Sequence, residues 1–596
     1  MTRYEVPVLI VGGGGAGLTA SMLLSDLGID SLLINARPST SDLPKAHLLN
    51  QRTMEILGDT GVAETIYACG TPPENMRATA WYAGFAGTAD AGRKLGQMEI
   101  WGAGYTDTDW MVASGCPSTN LPQIRLEPIL REQAEELAPG RVRFHHELVE
   151  MREEGEGVTA TVRDLDAGRD YTVRAQYVLG CDGGRTVGQA LGVEMEGPRN
   201  IAQEISIHMT ADLSAWARDP EVLIRWIWLP ESGVLSVLVP MGPERWGPDS
   251  EEWVFHLNYP SDDPRALDDA AIEADMRRAL GIGDHPVDVH RITRWSLEGV
   301  VASRFQVGRV FLLGDAAHRH PPTGGLGLNS AIQDAHNLCW KVAAVLDGRA
   351  SEELLSTYEA ERKPVVARNV ECSLSNGANQ FQIGRDLGLV PEGDPEENWA
   401  SLRRLWSGRA EDEACRRAAS RAIATQSQEF RQHNVEYGYT YTKPKAAIVP
   451  DGSPEPELVD PIRTYVPSTR PGHPLPHAWL DADDGRRLST LDLVRPGRFL
   501  LIAGEDGLPW CEAARSVANR MAVPVDVVRI GHVRGDYLDP RCQWLQRREI
   551  GPEGAMLIRP DRFAAWRSQG ASVTAEDDLE RAFGAIHMCP TAGGAS

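Results

Sequence analysis

The chain lacks the cysteine pairs that would build a disulfide framework or a zinc site. Its nine cysteines (Cys69, Cys116, Cys181, Cys339, Cys372, Cys415, Cys511, Cys542 and Cys589) are scattered and odd in number, none forms Cys-x-x-Cys, and no histidine stands at zinc-ligand spacing from them. Reduced thiols are therefore expected, and no metal site is. Positive charge is also short. Sixty Lys and Arg against 84 Asp and Glu leave a net charge of -24, which would repel a phosphate backbone or an anionic lipid surface, so no nucleic-acid partner is expected. No apolar run reaches bilayer length, and Met1 to Val6 lead straight into an apolar strand without a basic leader. The expectation is a cytoplasmic protein with no membrane insertion. Repeats are missing too, and the one biased tract is the small-residue tail Thr591 to Ser596.

What is present points to a large globular enzyme. At 596 residues the chain calls for two to four folded units. Val6 to Val11, a β-branched apolar run, reads as a strand buried on both faces. It leads into the glycine cluster Gly12 to Gly17, a helix over Leu18 to Leu27, a stop at Gly28 and a second strand, Ser31 to Ile34. That is a βαβ unit of a parallel sheet. A later strand, Val307 to Leu313, enters another glycine-rich loop and then a helix from about Asn329, where Leu328, Ile332, Ala335, Cys339, Val342 and Leu346 form one apolar face. Between these halves, residues 200 to 290 hold alternating strand-like runs, read as an inserted antiparallel sheet. Residues 376 to 436 favour helix, and the proline-dense stretch 443 to 476 is the clearest domain boundary. Phe499 to Ile502, Val525 to Ile530 and Ala555 to Ile558 are strands of a further small α/β unit.

Three motifs carry chemistry. Gly12, Gly14 and Gly17 make GxGxxG between a strand and a helix, where Gly15 and Ala16 add backbone amides that can approach a dinucleotide pyrophosphate. The acid usual at the end of the second strand, where ribose hydroxyls bind, is replaced by Asn35, followed by Ala36 and Arg37. The second motif is Cys181-Asp182-Gly183-Gly184-Arg185-Thr186; taken alone, Asp182-Gly183 also reads as a plain turn after a strand. The third is Gly314-Asp315-Ala316-Ala317-His318, followed by Pro321, Pro322 and Gly324-Gly325-Leu326-Gly327-Leu328-Asn329.

With these motifs the sequence resembles the FAD-dependent aromatic hydroxylases of the p-hydroxybenzoate hydroxylase fold, in the phenol hydroxylase and 2,4-dichlorophenol 6-monooxygenase branch. Natural-product tailoring members of the piericidin type fall within the same resemblance. It implies an α/β architecture: a Rossmann-like FAD-binding domain over 1–75, 110–190 and 291–375, an inserted antiparallel-sheet substrate domain over 76–109 and 191–290, a helical segment over 376–442, a linker over 443–476 and a thioredoxin-like C-terminal domain over 477–590. Trp510-Cys511 has no second cysteine three residues on, so that last domain is expected to be structural and to cover a subunit contact in a dimer or higher homo-oligomer.

The resemblance also assigns roles. Asp315 would bind the flavin ribityl chain, and Pro322, Gly325, Gly327, Leu328 and Asn329 would face the isoalloxazine, whose reduced form carries negative charge that a helix N-terminus favours. Asp182 would contact FAD and the pyridine nucleotide, although Thr186 and Gly188 depart from the commonest form of that motif. Arg52 and Gln123 fall where the family holds flavin phosphates and ribityl oxygens, with a helix-start surface arginine and a solvated helix cap as the respective alternatives. His47 stands where phenol hydroxylases carry a substrate-activating group, with a buried structural histidine as the alternative. Arg225, Trp226 and Trp228 fit either an aromatic pocket or a core, and His318 and His320 fit flavin-side packing. The implied reaction is hydroxylation of a phenolic or hydroxypyridine-like ring, ortho to its hydroxyl, with NADH or NADPH and O2 through a flavin C4a-hydroperoxide. Epoxidation or Baeyer-Villiger insertion on a polycyclic product, and a non-catalytic flavin-binding interaction protein, are the alternatives.

Overall fold

The computed structural model describes residues 3–259 and 263–588; Met1, Cys589, the tail from Thr591 and the expected domain end at 590 lie outside them. The N-terminal half is built on a sheet in which Val310–Leu312, Arg169–Gly180, Arg3–Val11, Ser31–Asn35 and Val142–Phe144 lie side by side and parallel. Its strands are buried on both faces, as their apolar runs require, with Val8, Leu9, Ile10, Leu32, Leu33 and Val178 fully enclosed. The helix Gly15–Asp26 starts three residues earlier than its apolar pattern suggests and is buried from Gly15 to Leu24. It packs against Leu326–Leu346, which also starts three residues early, at the glycine-rich loop. In both places the glycines form the first turn of the helix instead of a separate loop.

The second sheet has seven strands in the order Asp288–Ser296, Gln203–Thr210, Glu252–Tyr259, Val234–Gly242, Val222–Leu229, Ala78–Ala83 and Arg93–Glu99. The expected antiparallel order is broken at one place: Val222–Leu229 and Ala78–Ala83 run parallel. These two strands come from the separate stretches 191–290 and 76–109, so no hairpin dictates their direction. One face, with Ile205, Ile207, Leu238 and Phe255, packs on the helix Asp269–Leu280. The other, with Ile224, Trp226, Trp228, Val239 and Val254, packs on Ile383, Leu387 and Phe430.

The helix Glu353–Leu387 crosses the expected boundary at 375/376 as one continuous rod of 35 residues and stops at Gly388, which adopts the left-handed conformation. It also anchors the C-terminal domain, whose core pairs Phe499–Ala503 in parallel with Val525–Gly531 and antiparallel with Ala555–Ile558. The linker is packed, not free: Ala447 N donates to Glu361 Oε1 and Tyr441 stacks on Phe563.

A buried ion network closes this interface. Glu361 accepts from Lys341 Nζ at 2.7 Å and from Arg559 at 2.6 and 2.9 Å, and all three side chains are fully enclosed. Removing one member of such a network strands the opposite charges out of water. Glu361→Gln should therefore lower the unfolding free energy by about 3–5 kcal/mol, read as a fall in the urea midpoint; an unchanged midpoint would show that the cations find another partner.

Candidate active site

Strand register brings the three motifs together. Val11 lies opposite Gly180, and Gly180 opposite Leu312, so the carboxyl ends of three neighbouring parallel strands are level. Each motif is the turn that leaves one of these ends, the place where open α/β sheets bind ligands. Contact is close enough to demand glycine. At Gly12, with φ +115°, a Cβ would stand 2.3 Å from the Cys181 carbonyl oxygen, and at Gly17 it would stand 1.9 Å from the Gly12 oxygen. Gly15 packs on the Leu328 side chain, Gly184 on Ala316, and Gly314 on Ala331 and Ala16. Two helix N-termini, at Gly15 and Leu326, thus open onto one crevice, each with first-turn amides that lack helical partners.

The carboxylates divide sharply in their surroundings. Asp315 is exposed and has no hydrogen-bond partner among the described residues, so it is open to a ligand's hydroxyls. Asp182 is engaged instead in a turn, accepting from the amides of Gly184, Thr186 and Val187 at 2.7 to 3.0 Å. Asp334, which sequence reasoning missed, is fully buried: it accepts from Gly314 N at 3.1 Å, His318 Nε2 at 2.7 Å and Arg362 Nε at 2.8 Å. Burial opposes its charge, yet His318 and Arg362 hold the carboxyl below its usual range. It pins the peptide beside Asp315.

Other expected cofactor residues divide similarly. Asn35 Oδ1 accepts the Gly13 amide at 3.1 Å, tying the second strand to the glycine loop, while Ala36 and Arg37 are exposed beside it. Gln123 Nε2 donates to Glu127 Oε1 at 2.5 Å, and Glu127, another residue the sequence did not single out, accepts Ser41 N and lies beside Gly14. Pro322 is exposed and Gly325, Gly327 and Leu328 are half-buried. The Asn329 side chain is occupied: its oxygen accepts Asn50 N and its amide donates to the Leu48 and Gly325 carbonyls. Arg52 has its contacts elsewhere. Its NH1 donates to Glu55 at 2.6 Å and its guanidinium lies 4.4 Å over the Tyr437 ring and 5.9 Å from Phe563, while its Nε and NH2 have no partner among the described residues. Positions 52, 55 and 59 share one face of Gln51–Asp59, and that face meets the C-terminal domain, where Arg562 pairs with Asp59.

His47 sits where the short strands Leu48–Leu49 and Thr119–Asn120 pair. Its Nδ1 meets Asn120 Oδ1 at 2.5 Å, and Asn120 Nδ2 donates to Thr71 Oγ1 at 2.6 Å. With the amide oxygen facing the imidazole, Nδ1 carries the proton and Nε2 keeps its lone pair. Burial lowers the His47 pKa to about 4, against the hydrogen bond to Asn120 and helped by the charge of His256. The ring is neutral at pH 7.

The sheet face above it is polar on one side and aromatic on the other. Ser206 Oγ bonds His256 Nδ1 at 3.0 Å and accepts Trp295 Nε1 at 3.1 Å. Arg125 reaches across to Glu252 Oε2 at 2.8 Å, which also meets His208 Nε2 at 2.7 Å. Burial alone would raise Glu252, but these two hydrogen bonds hold it at about 2. Toward the other edge, Trp81, Trp101 and Trp226 surround Phe430 with ring centroids 5.7 to 6.2 Å away. Arg225 lies on the opposite face, near Trp253, with its guanidinium spent on the carbonyls of Val222, Arg218 and Asp219. Beside the second and third motifs opens a cavity of about 470 Å³, lined by Gly184, Gln189, Glu194, Arg199, Ala316 and Arg319. No helix among the described residues is long and apolar enough to cross a membrane.

Comparison with known proteins agrees with this geometry. Residues 5–373 match the family described as FAD binding domain, and residues 468–587 match aromatic-ring hydroxylase, C-terminal. The chain is 36% identical over 587 residues to a 2,4-dichlorophenol 6-monooxygenase of Delftia acidovorans, covering 98% of both. It is 34% identical to a phenol 2-monooxygenase of Pseudomonas sp. (strain EST1001), covering 96% of this chain and 92% of that one. The solved structure of the flavin-dependent monooxygenase PieE in complex with FAD and substrate superposes with a TM-score of 0.91 at 38% identity, covering 98% of this chain and 100% of that one. A non-catalytic flavin-binding role is thereby set aside: the chain belongs to the FAD-dependent aromatic-ring hydroxylases and is a monooxygenase of that family.

Proposed function

We propose that the enzyme hydroxylates a phenolic or hydroxypyridine-like ring next to its hydroxyl group, with NADH or NADPH and O2. The observation that carries this reading is His47: a neutral imidazole, its tautomer fixed by Asn120, with Nε2 free to accept from a phenolic O–H. The crevice fits FAD. The amides of Gly12, Gly14, Gly15, Ala16 and Gly17 suit its pyrophosphate, Asn35, Ala36 and Arg37 its ribose, Gln123 and Asp315 its hydroxyl-bearing chain, and the Pro322 to Asn329 loop the pyrimidine edge. Asp182 supports that crevice through its turn. When bound, FAD supplies hydride acceptance and oxygen activation.

The chain's own residues do the rest. With a pKa of about 4 against about 10 for an ordinary phenol, His47 is too weak a base to keep the proton. It orients the hydroxyl and takes up its proton only as the O–H bond lengthens and the ring's ortho carbon gains electron density, and it returns that proton to the oxygen when the hydroxylated ring loses its C–H proton and regains aromaticity. The aromatic wall of Trp81, Trp226 and Phe430 packs the ring and keeps water away. The pyridine nucleotide would enter the cavity beside Gly184 and Ala316, where Arg199 supplies positive charge next to the Arg319–Glu298 pair. Self-association as a dimer or higher oligomer and a cytoplasmic location are proposed on the resemblance and composition alone.

The primary test is NAD(P)H oxidation by the FAD-loaded enzyme with and without a panel of phenols and hydroxypyridines, with product analysis. Stimulated oxidation with a catechol-type product supports the reading; oxidation to H2O2 alone with every ring refutes it. His47→Ala should cut phenol hydroxylation by about 10²-fold or more with FAD still bound. Since neutral His47 is the working form and its pKa is lowered to about 4, the acid limb of kcat/KM that disappears in His47→Ala should lie near pH 4; a limb near the ordinary histidine value of about 6.5 that disappears with the imidazole would show that burial does not hold the ring neutral. Asp315→Ala should weaken FAD binding by roughly 10- to 100-fold, the worth of one charge-assisted hydrogen bond, measured by flavin fluorescence; unaltered affinity would remove Asp315 from the cofactor site.

A further inference from the structure

One chain of hydrogen bonds runs from the substrate sheet to the loop ahead of Leu326–Leu346. Trp81 Nε1 donates to Gln380 Oε1 at 3.2 Å, Gln380 Nε2 donates to Glu429 Oε2 at 2.8 Å, and Glu429 Oε1 accepts the Gly324 N–H at 3.0 Å. Gln432 Nε2 holds the other side of the glycine by donating to its carbonyl at 2.8 Å, and Asn376 supports Gln432. Trp81, Gln380, Glu429 and Gln432 are all at least 97% buried. Gly324 stands two residues ahead of the helix whose first amides face the crevice, and Phe430, next to Glu429 in sequence, packs edge-on against Trp81.

The polarity of this chain requires a carboxylate. Both neighbours of Glu429, the Gly324 N–H and the Gln380 amide nitrogen, are donors, and Gln380 cannot turn over because its oxygen holds the Trp81 indole. A glutamine at 429 would offer one acceptor and set a donor against a donor. The groups that meet Glu429 from the packed elements are neutral, Gln380 on the long helix and Gly324 on the loop, with Asn376 on its neighbour Gln432 and Trp81 and Trp226 of the sheet against the adjacent Phe430. On its own segment, Arg431 is spent on Asp107 and Glu99, burial holds His433 at about 3, and burial raises Glu436 to about 8. With no cation to offset it, burial raises Glu429 itself to about 7, against the hydrogen bonds from Gln380 and Gly324.

We infer that Glu429 is a positioning residue that couples a substrate ring at the Trp81–Phe430 wall to the placement of the Gly324 loop, so that the cofactor-binding helix start takes its working geometry when the ring is in place. This rests on the hydroxylase reading above. The carboxylate form, with both hydrogen bonds, is present above about pH 7, and protonation below it removes one acceptor.

The test compares wild type, Glu429→Gln and Trp81→Phe as FAD-loaded full chains, with phenol and 2,4-dichlorophenol as probes. It reads the visible difference spectrum of the oxidised flavin on titration and the ratio of phenol-stimulated to unstimulated NAD(P)H oxidation, at pH 6 and 8. The wild type should show a larger spectral change and at least a threefold higher ratio at pH 8 than at pH 6. Glu429→Gln should lose that pH dependence and at least tenfold of the pH 8 ratio, and Trp81→Phe, which keeps the ring but not the N–H, should lose part of the ratio. Variants that match the wild type in both readouts overturn the inference. If the wild type answers no phenol, the hydroxylase reading fails, and hydrogen exchange at the Gly324 amide decides the clamp by itself. Exchange at least tenfold faster in Glu429→Gln upholds it, and equal exchange overturns it.

Discussion

Val11, Gly180 and Leu312 stand level at the ends of three adjacent parallel strands, and the cofactor crevice exists because of that row. Parallel pairing places three turns that are distant in sequence at one edge of the sheet, and the helices Gly15–Asp26 and Leu326–Leu346 leave two of those turns and pack against each other with their N-termini at the crevice. A slip of one residue in any pair would turn its side chains to the other face and move a motif out of line. The close approaches at Gly12 and Gly17 leave no room for such a slip.

Burying charge is the second constraint, and at the two long helices the molecule meets it by full pairing, whereas Glu429 is buried with no cation beside it. Asp334 has three donors, and Glu361 takes bonds from Lys341, Arg559 and Asn337. These two carboxylates lie on or against the long helices that join the cofactor domain to the C-terminal domain, so the rigidity of the crevice and the docking of that domain share one framework. Networks of this kind add little net stability when complete but cost several kcal/mol when broken. They specify one arrangement of the helices more than they strengthen it.

Much of this was legible from local pattern. Glycine clusters after β-branched runs, Asp315 in its loop, the inserted sheet and the C-terminal strands all show in short windows, because strand and turn chemistry are local. The parallel strand pair, the course of Glu353–Leu387 across an expected boundary, and the partners of Arg52 were not, because each depends on contacts between distant segments. Arg52 is instructive: its sequence position suits a phosphate ligand, but helical periodicity aligns it with Glu55 and Asp59, and that face meets Tyr437 and Phe563, 385 and 511 residues on. Asn120, Asp334 and Glu429 gave no signal because each stands among other polar residues, as in Ser118-Thr119-Asn120, Gln333-Asp334 and Gln428-Glu429, and local sequence does not say which of them is buried.

The choice of Asn120 as the partner of His47 follows from the charge the site must manage. A carboxylate there would also fix the Nδ1 proton, but it would raise the imidazole's pKa and favour the protonated ring, which accepts nothing from a phenol. The amide fixes the same tautomer with no charge, and burial then keeps the ring neutral. A protonated His47 would hold a phenolate tightly in the ground state and so spend the attraction before the ring reacts. A neutral one stabilises charge only as the O–H bond yields. The charges of Arg125 and Glu252 cancel, and His208 is hydrogen-bonded to the same carboxylate, so they contribute orientation to the substrate face with little net field at the ring.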